Sequence, residues 1–250
     1  MLSVSVAQLW REIKSSDLAL CHTGRMGKRQ ESREKIEAEI IEVGRRHLVT
    51  EGAAGLSLRA IARDLGMVSS AVYRYVASRD DLLTLLLVDA YSELADAVDD
   101  AEVTDAPWRD RLLAMAHAAR AWAVDQPARW ALLYGSPVPG YRAPRERTVG
   151  PGTRVVGALF DAVGAGIGAG EISTSNVAVA QPLSSDFDRV RDEFGFAGDD
   201  SAVAKCFLLW AGLVGAISLE VFGQYGADTL TEPGAVFDTQ IRLLIEMLRD

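Results

Sequence analysis

Arg59, Ser69, Ser70, Ala71, Tyr73, Arg74, Tyr75 and Arg79 fall in one short segment, with Ser57 just ahead of them. Their guanidinium and hydroxyl groups donate hydrogen bonds to phosphate oxygens and base edges, and an alanine methyl can meet a thymine methyl. That is the chemistry of nucleic-acid recognition. The elements that must present these groups follow from the surrounding residues. Ser57 suits an N-cap, and Leu58, Ile61, Ala62 and Leu65 recur at helical spacing as one apolar stripe. Gly66 stops that helix, and a Gly-Met-Val corner leads into a second predicted helix over 69–76. Val72 and Val76 share its inner face, leaving Ser70, Ala71, Arg74 and Tyr75 to point elsewhere. Ser78 then caps a third helix that opens with Arg79, Asp80 and Asp81. Two short helices across a tight turn form a helix-turn-helix.

These residues resemble the tetracycline-repressor (TetR) family of bacterial transcription regulators. The match covers Glu34 to Leu87 and rests on the Thr50, Gly52, Leu56 corner, on Ile61-Ala62, and on Gly66, Tyr73, Arg79 and Leu82 at the family's spacing. Val68, Val76 and Arg79 depart from the usual Ser, Phe and Lys, which alters the expected operator sequence and leaves the expected DNA-binding role intact. The resemblance implies that Arg59 stands where family members can reach a base edge, a guanine included. Ser70, Ala71 and Tyr75 are the candidates for the groove, and Ser57, Ser69, Tyr73 and Arg79 those for phosphates. Arg74 joins the DNA-binding set, with a solvated charge as its plainer reading, and Tyr73 has core packing as its own. Lys28, Arg29 and Arg33 could form an arm on the DNA backbone or be a solvated tail.

The formal charge is −9, which is unusual for a DNA binder until it is divided along the chain. Residues 25–80 hold 11 Lys/Arg against 8 Asp/Glu, a balance of +3, whereas residues 81–250 hold 13 against 25, a balance of −12. A basic head on an acidic body draws a duplex to one end and repels it from the other. The expected organisation is an N-terminal extension over 1–25, expected to be disordered, a DNA-binding head over 26–80, and a ligand-binding and dimerising body over 81–250. Cys21 and Cys206 are far apart and read as reduced thiols, consistent with a cytoplasmic location. The apolar run Cys206 to Leu219 is shorter than the ~20 residues that span a bilayer, and charged residues interrupt Val4 to Leu20, so neither a membrane span nor a signal peptide is expected.

Beyond Leu82 the periodicity is helical throughout, so the predicted fold class is all-α, a three-helix head on a helical-bundle body. Helices are expected over 80–99, 108–125, 127–134, 152–169, 183–194, 200–222 and 233–249. The proline- and glycine-rich stretch from Gly135 to Pro151 is expected to be a loop. The body resembles the family's ligand-binding domain, and its Trp210 to Gly215 and Leu219-Glu220 segments are similar to a Trp-His-Gly subtype with Val214 in place of the His. Small residues Gly212, Gly215 and Ala216 suit close helix approach at a four-helix dimer interface, or inside the monomer. His117, Trp122, Trp130, Tyr134, Phe160, Phe207 and Trp210 are candidate pocket linings for a small hydrophobic or aromatic effector, and each has ordinary core packing as its alternative.

No catalytic or metal-binding set emerges. The histidines His22, His47 and His117 lie in separate segments without metal-ligand spacing, and the glycines around Gly164-Ala-Gly166 follow no strand and lack the Lys-Ser/Thr ending of a phosphate loop. No enzyme activity and no cofactor are expected. The expected partners are operator DNA, a small effector and a second copy of the chain, with no membrane. The resemblance implies a homodimeric repressor, and the competing class is a helical interaction or carrier module that binds no DNA.

Overall fold

The computed structural model describes residues 28–103, 105–173, 179–226 and 228–249. The expected extension over 1–25, with Cys21 and His22, lies outside the described residues, as do the side chains of Lys28 and Arg29. Among the described residues all regular structure is helical: α1 Lys28–Gly55, α2 Leu58–Asp64, α3 Ser69–Val72, α4 Arg79–Asp100, α5 Trp108–Asp125, α6 Pro127–Tyr134, α7 Arg145–Gly168, α8 Leu183–Phe194, α9 Asp200–Val221 and α10 Pro233–Glu246.

Two buried apolar clusters organise these helices. The first gathers Ile40, Val43 and Leu48 of α1, Leu58 and Ile61 of α2, Val72 of α3, and Leu82, Leu83 and Leu86 of α4. The second continues from Ala90 and Leu94 along α4 into α5, α7, α9 and α10. Helix α4 is therefore shared: its first two turns complete the head and the rest is a wall of the body. An unbroken helix transmits displacement between the two clusters as a rigid rod, which a flexible linker cannot do.

A charged group crosses the same junction. Arg45 of α1 donates from Nε and Nη2 to the Asp89 carboxylate at 2.9 and 2.6 Å, and from Nη2 to Glu93 at 2.9 Å. From the other side, Arg129 of α6 donates to Glu93 Oε1 at 2.6 Å and to Asp89 Oδ2 at 3.0 Å. Trp122 Nε1 adds a bond to Glu93 at 3.2 Å, and its ring lies 5.2 Å from the Arg129 guanidinium carbon. Asp89 and Glu93 are four residues apart on α4, so both carboxylates share the face that α1 and α6 meet. The Arg129 hydrogen bond is the largest cause holding the Glu93 carboxyl below its usual range. Arg129 is 3% exposed, and its Nε has no hydrogen-bond partner.

The stretch expected as a loop from Gly135 to Pro151 is helical from Arg145 onward, with Pro151 inside α7. Proline disfavours a helix interior because its nitrogen cannot donate. Local and tertiary contacts override that preference here. Thr148 is buried and its Oγ1 bonds back to Pro144 O at 2.9 Å. At Gly152 an added Cβ would lie 3.4 Å from the Tyr91 ring, so α7 approaches α4 closely at this point. The final helix ends at Glu246 in place of the expected 249, with a few turn residues after it.

Helix α9 is, by length and composition, apolar enough to cross a membrane, although the run from Cys206 to Leu219 alone is shorter than that. Part of the helix is core. Burial pushes the Cys206 thiol up to about 12, so it stays protonated and behaves as a small apolar side chain. Another face is open: Ala204, Leu208 and Ala211 are exposed along it with half-buried Gly215 one turn on, Leu208 is 52% exposed, and Leu243 of α10 is 65% exposed.

Replacing Arg129 with Ala should leave two carboxylates facing Arg45 alone, and the expected loss of stability is about 3–5 kcal/mol. Urea unfolding followed by circular dichroism measures it. A loss below ~1 kcal/mol would mean that the junction does not depend on this charge.

Candidate nucleic-acid interface

The head is built around a short corner. Helix α2 ends in a Schellman arrangement: Met67 N–H donates to Ala62 O at 2.9 Å and Gly66 N–H to Arg63 O at 3.0 Å, with Gly66 at φ 65°. Only glycine adopts that left-handed position without a Cβ penalty, which is why the turn can be this tight. The α2–α3 crossing is anchored by Ile61, Ala62 and Val72, all buried. On the far side His47 Nε2 and Asp64 Oδ2 are 2.6 Å apart, tying α1 to α2. The hydrogen bond to His47 leads the causes that hold the Asp64 carboxyl below its usual range.

The second helix is shorter than expected. After Val72 the hydrogen bonds tighten, with Arg74 N–H donating to Ala71 O and Tyr75 N–H to Val72 O, before Val76 N–H returns to Val72 O at 3.1 Å. This 3₁₀-like continuation still buries Val72 and Val76, so the expected inner face is preserved. Its twist differs from that of an α-helix, and the two tyrosines exchange their expected surroundings. Tyr73 is 45% exposed, whereas Tyr75 packs against the head core with the Arg33 guanidinium 5.9 Å from its ring centroid.

Arg59 sits in the first turn of α2 and is exposed, as are Ser70 and Arg74; Ser69 and Ala71 are half-buried. Ser57 occupies the N-cap position of α2, but its side chain makes no capping hydrogen bond. Ser78 caps α4 as expected, accepting from Asp81 N–H at 3.0 Å.

Arg79 does not project from the head as a free phosphate hook. Its Nη2 donates to Ala53 O at 2.8 Å and Ala54 O at 3.0 Å, at the end of α1. Gly52, at φ 66° and ψ 172°, breaks α1 and turns those carbonyls outward, and an Arg at the next helix start reaches them. Arg33 donates from Nε to Glu37 at 2.8 Å along the exposed surface of α1.

Pairing separates the remaining head arginines. Arg45, Arg46 and Arg63 each have a carboxylate within 4.0 Å, whereas Arg59 and Arg74 have none among the described residues. A guanidinium without an internal partner on an exposed, locally basic surface is available to an anion at little desolvation cost. Val68, the N-cap residue of α3 and a departure from the family's usual Ser, is 70% exposed beside Ser69 and Ser70. An apolar branched residue in a cap position without a side-chain acceptor is the signal that could have marked it.

The seven candidate pocket residues do not share one cavity. Trp130, Tyr134 and Trp210 do meet: the Trp130 and Tyr134 ring centroids are 4.4 Å apart and those of Tyr134 and Trp210 6.0 Å, with Tyr91 at 6.4 Å from Tyr134. Trp130 Nε1 donates to Ser218 Oγ at 3.1 Å, and burial raises the Tyr134 phenol above its usual value. Phe160 is buried in a separate stack with Phe194, Phe196 and Phe207. Trp122 belongs to the charged junction, and His117 faces α10, with Nε2 3.1 Å from Asp238 Oδ1. The helical spacing that suggested one lining distributes these side chains over different helix faces. A groove of about 670 Å³ lies between Gly52–Ala54 and the Ser136–Pro139 loop, with Leu132 and Phe222 on its walls.

The three small residues of the expected interface also separate. Gly212 is a contact inside the chain, since an added Cβ would be 2.6 Å from Leu244 Cδ1 of α10, and Ala216 is buried. Gly215 alone has open space around it.

Comparison with known proteins agrees with this arrangement. Residues 40–86 match the profile described as bacterial regulatory proteins, tetR family, and residues 112–244 match tetracyclin repressor-like, C-terminal domain. The HTH-type transcriptional regulator Rv1816 of Mycobacterium tuberculosis (strain ATCC 25618 / H37Rv) is 67% identical over 234 residues, covering 92% of this chain and 100% of the relative. The HTH-type transcriptional regulator Mb1846 of Mycobacterium bovis shows the same identity and coverage. The solved structure of SCO4313 has a TM-score of 0.71 at 32% identity, covering 88% of this chain and 100% of that one. A bacterial regulatory protein in the tetR family from Rhodococcus RHA1 shares the fold at 17% identity, with a TM-score of 0.56 and coverage of 85% and 96%.

Arg59→Ala is expected to cost about 1–3 kcal/mol on a preferred duplex and to relax selectivity mainly at one base pair. Tyr73→Ala should weaken binding to preferred and scrambled duplexes alike. Fluorescence anisotropy on both duplexes separates these outcomes, and equal affinities for wild type and Arg59→Ala on both would remove Arg59 from the reading surface.

Proposed function

Because the chain belongs to the tetracycline-repressor family of bacterial transcriptional regulators, we propose that it is a homodimeric repressor, held on a palindromic operator and released by a small apolar or aromatic effector. The observation that carries this reading is the pairing of two unlike surfaces on one chain. One is the head face where Arg59 and Arg74 lack carboxylate partners, and the other is the exposed apolar face of α9 and α10.

A helix-turn-helix reads one half-site, so a second copy is needed to read a palindrome whose halves lie ~34 Å apart or a multiple of that. Leu208, Ala211, Gly215 and Leu243 supply the contact: flat apolar helix faces with a glycine gap bury well against their own copies in a four-helix arrangement. In the head, Arg59, Ser70 and Ala71 read the groove, and Ser57, Ser69, Tyr73 and Arg74 hold phosphates. Arg79 acts one step back, fixing the end of α1 against the start of α4. Tyr75 lines the base of the reading turn. The similarity of the segment Trp210 to Glu220 supports assigning the body to the Trp-His-Gly subtype, with Val214 in the His position among apolar neighbours. The site of action is the cytoplasm.

The effector site is the aromatic group of Tyr91, Trp130, Tyr134 and Trp210 on α4, α6 and α9. A ligand entering there separates α6 from α4. Arg129 on α6 and its partners Asp89 and Glu93 on α4 move with them, and Arg45 carries the change to α1. The effector releases DNA to the extent that it binds the separated arrangement more tightly than the DNA-bound one.

Selection of duplexes from a random pool by the purified protein tests the reading. The expected result is an enriched palindrome whose binding falls steeply with salt, as phosphate contacts require. A non-palindromic winner, or affinity insensitive to salt, would reject it in favour of a helical interaction module. In sedimentation velocity the wild type should run as a dimer and the Leu208→Glu/Leu243→Glu variant as a monomer with unchanged helix content. A dimer in the variant would place the interface elsewhere.

A further inference from the structure

The body carries its own unpaired arginines. Arg109, Arg111, Arg120, Arg129, Arg147, Arg154, Arg189, Arg191, Arg242 and Arg249 each have a carboxylate oxygen within 4.0 Å. Arg142 and Arg145 have none among the described residues, and both are exposed. In a segment with 25 acidic residues against 13 basic ones, an arginine without a partner is contrary to the trend, and these two are three residues apart. With Arg59 and Arg74 they form the set of described arginines that make neither an ion pair nor a hydrogen bond. Two of the four are on the face already assigned to DNA.

Their position joins them to the head. Val138 and Tyr141 pack against the head core, and the Tyr141 hydroxyl is 2.9 Å from Thr84 Oγ1 on the second turn of α4. Arg147 Nη1 reaches to 3.9 Å from Asp81 Oδ1, in the first turn of α4. The loop is thus pinned beside the start of α4, the element that follows directly on the Tyr73–Tyr75 reading turn. Arg145 also opens α7, a 24-residue helix whose N-cap, Pro144, makes no side-chain cap bond. The positive end of its dipole adds to the charge of the two guanidinium groups.

We propose that Arg142 and Arg145 form a second phosphate-binding patch, through which the body grips the DNA backbone flanking the half-site read by the same subunit's head. The inference rests on the DNA-binding reading above and adds a partner surface that the helix-turn-helix does not contain. Duplex DNA suits it better than an acidic protein segment because the Tyr141–Thr84 and Arg147–Asp81 contacts hold the loop at the start of α4, directly after the turn assigned to DNA. Phosphate contacts carry no sequence information, so the patch lengthens the footprint without altering the consensus.

The test uses the full chain, the selected operator as a minimal duplex, and the same operator extended by about ten base pairs, one helical turn, on each side. Three proteins are compared: wild type, Arg142→Gln/Arg145→Gln, and, as a control that also removes two charges, Arg189→Gln/Arg249→Gln. The double variant should lose affinity for the extended duplex, with its plot of log K against log salt shallower by about 2, since each ionic contact contributes ~0.9. Scrambling the flanks should leave that loss unchanged, and on the minimal duplex the double variant should match the control. Thermal unfolding of the Arg142→Gln/Arg145→Gln variant should coincide with that of the wild type, because neither arginine has an internal partner among the described residues. Equal slopes for double variant and control on the extended duplex would overturn the patch while leaving the DNA-binding reading in place. An equal loss on both duplexes would overturn its placement on the flanks. Failure of the wild type to bind any duplex would instead overturn the reading on which the patch rests.

Discussion

The junction of Arg45, Asp89, Glu93 and Arg129 is the constraint on which the remainder of this molecule depends. Four charges, one with 3% exposure, are held where α1, α4 and α6 meet. Buried ion pairs contribute little net stability over well-packed apolar groups, but displacing Arg129 from its carboxylates is costly, since it leaves a buried charge unpaired. The head is thereby fixed to the body in one register. Hydrophobic packing alone permits sliding; this group does not. Trp122 stacks on Arg129, and Trp130 and Tyr134 follow it on α6, so the apolar interior and the head are mechanically adjacent.

A second theme is the disposal of arginine. The chain places most guanidinium groups against carboxylates, which fixes helices to one another: Arg120 on Glu220 joins α5 to α9, and Arg154 on Asp96 joins α7 to α4. The acidic excess of the body is partly the material for those pairs. Arginines left over are then informative, because an exposed unpaired guanidinium retains its full capacity for an external anion. Pairing, more than the count of basic residues, distinguishes surface that fastens the fold from surface that meets a partner.

Much of the head was legible in the sequence because its signals are local. A glycine at the α2–α3 corner, a serine three residues before an aspartate at the α4 cap, and valines four apart are each decided by backbone geometry within a few residues. The all-helical fold and the bounds of α5, α6 and α8 were likewise readable from periodicity and terminators such as Gln126-Pro127. Less was legible where a residue's partner is remote. Arg79 looked like a phosphate ligand, and its actual acceptors are carbonyls 25 and 26 residues earlier, exposed by the break at Gly52. The first turns of α7 looked like loop, because the packing of Gly152 on Tyr91 that compensates for Pro151 is a long-range contact.

The candidate sites divide along the same line. The sequence by itself determined which residue types sit on the reading turn, the helical class, the basic and acidic halves, and membership in a regulator family, since each depends on order along the chain. Only the tertiary structure decided that Tyr73 is exposed and Tyr75 packed, and that Gly212 serves the monomer while Gly215 stays open. It also separated Trp130, Tyr134 and Trp210 from the phenylalanine stack. The physical reason is that a helix offers each side chain a face, but which face is covered depends on neighbours brought from elsewhere in the chain. Periodicity specifies direction around one axis, and only the packed arrangement of all the axes turns direction into contact.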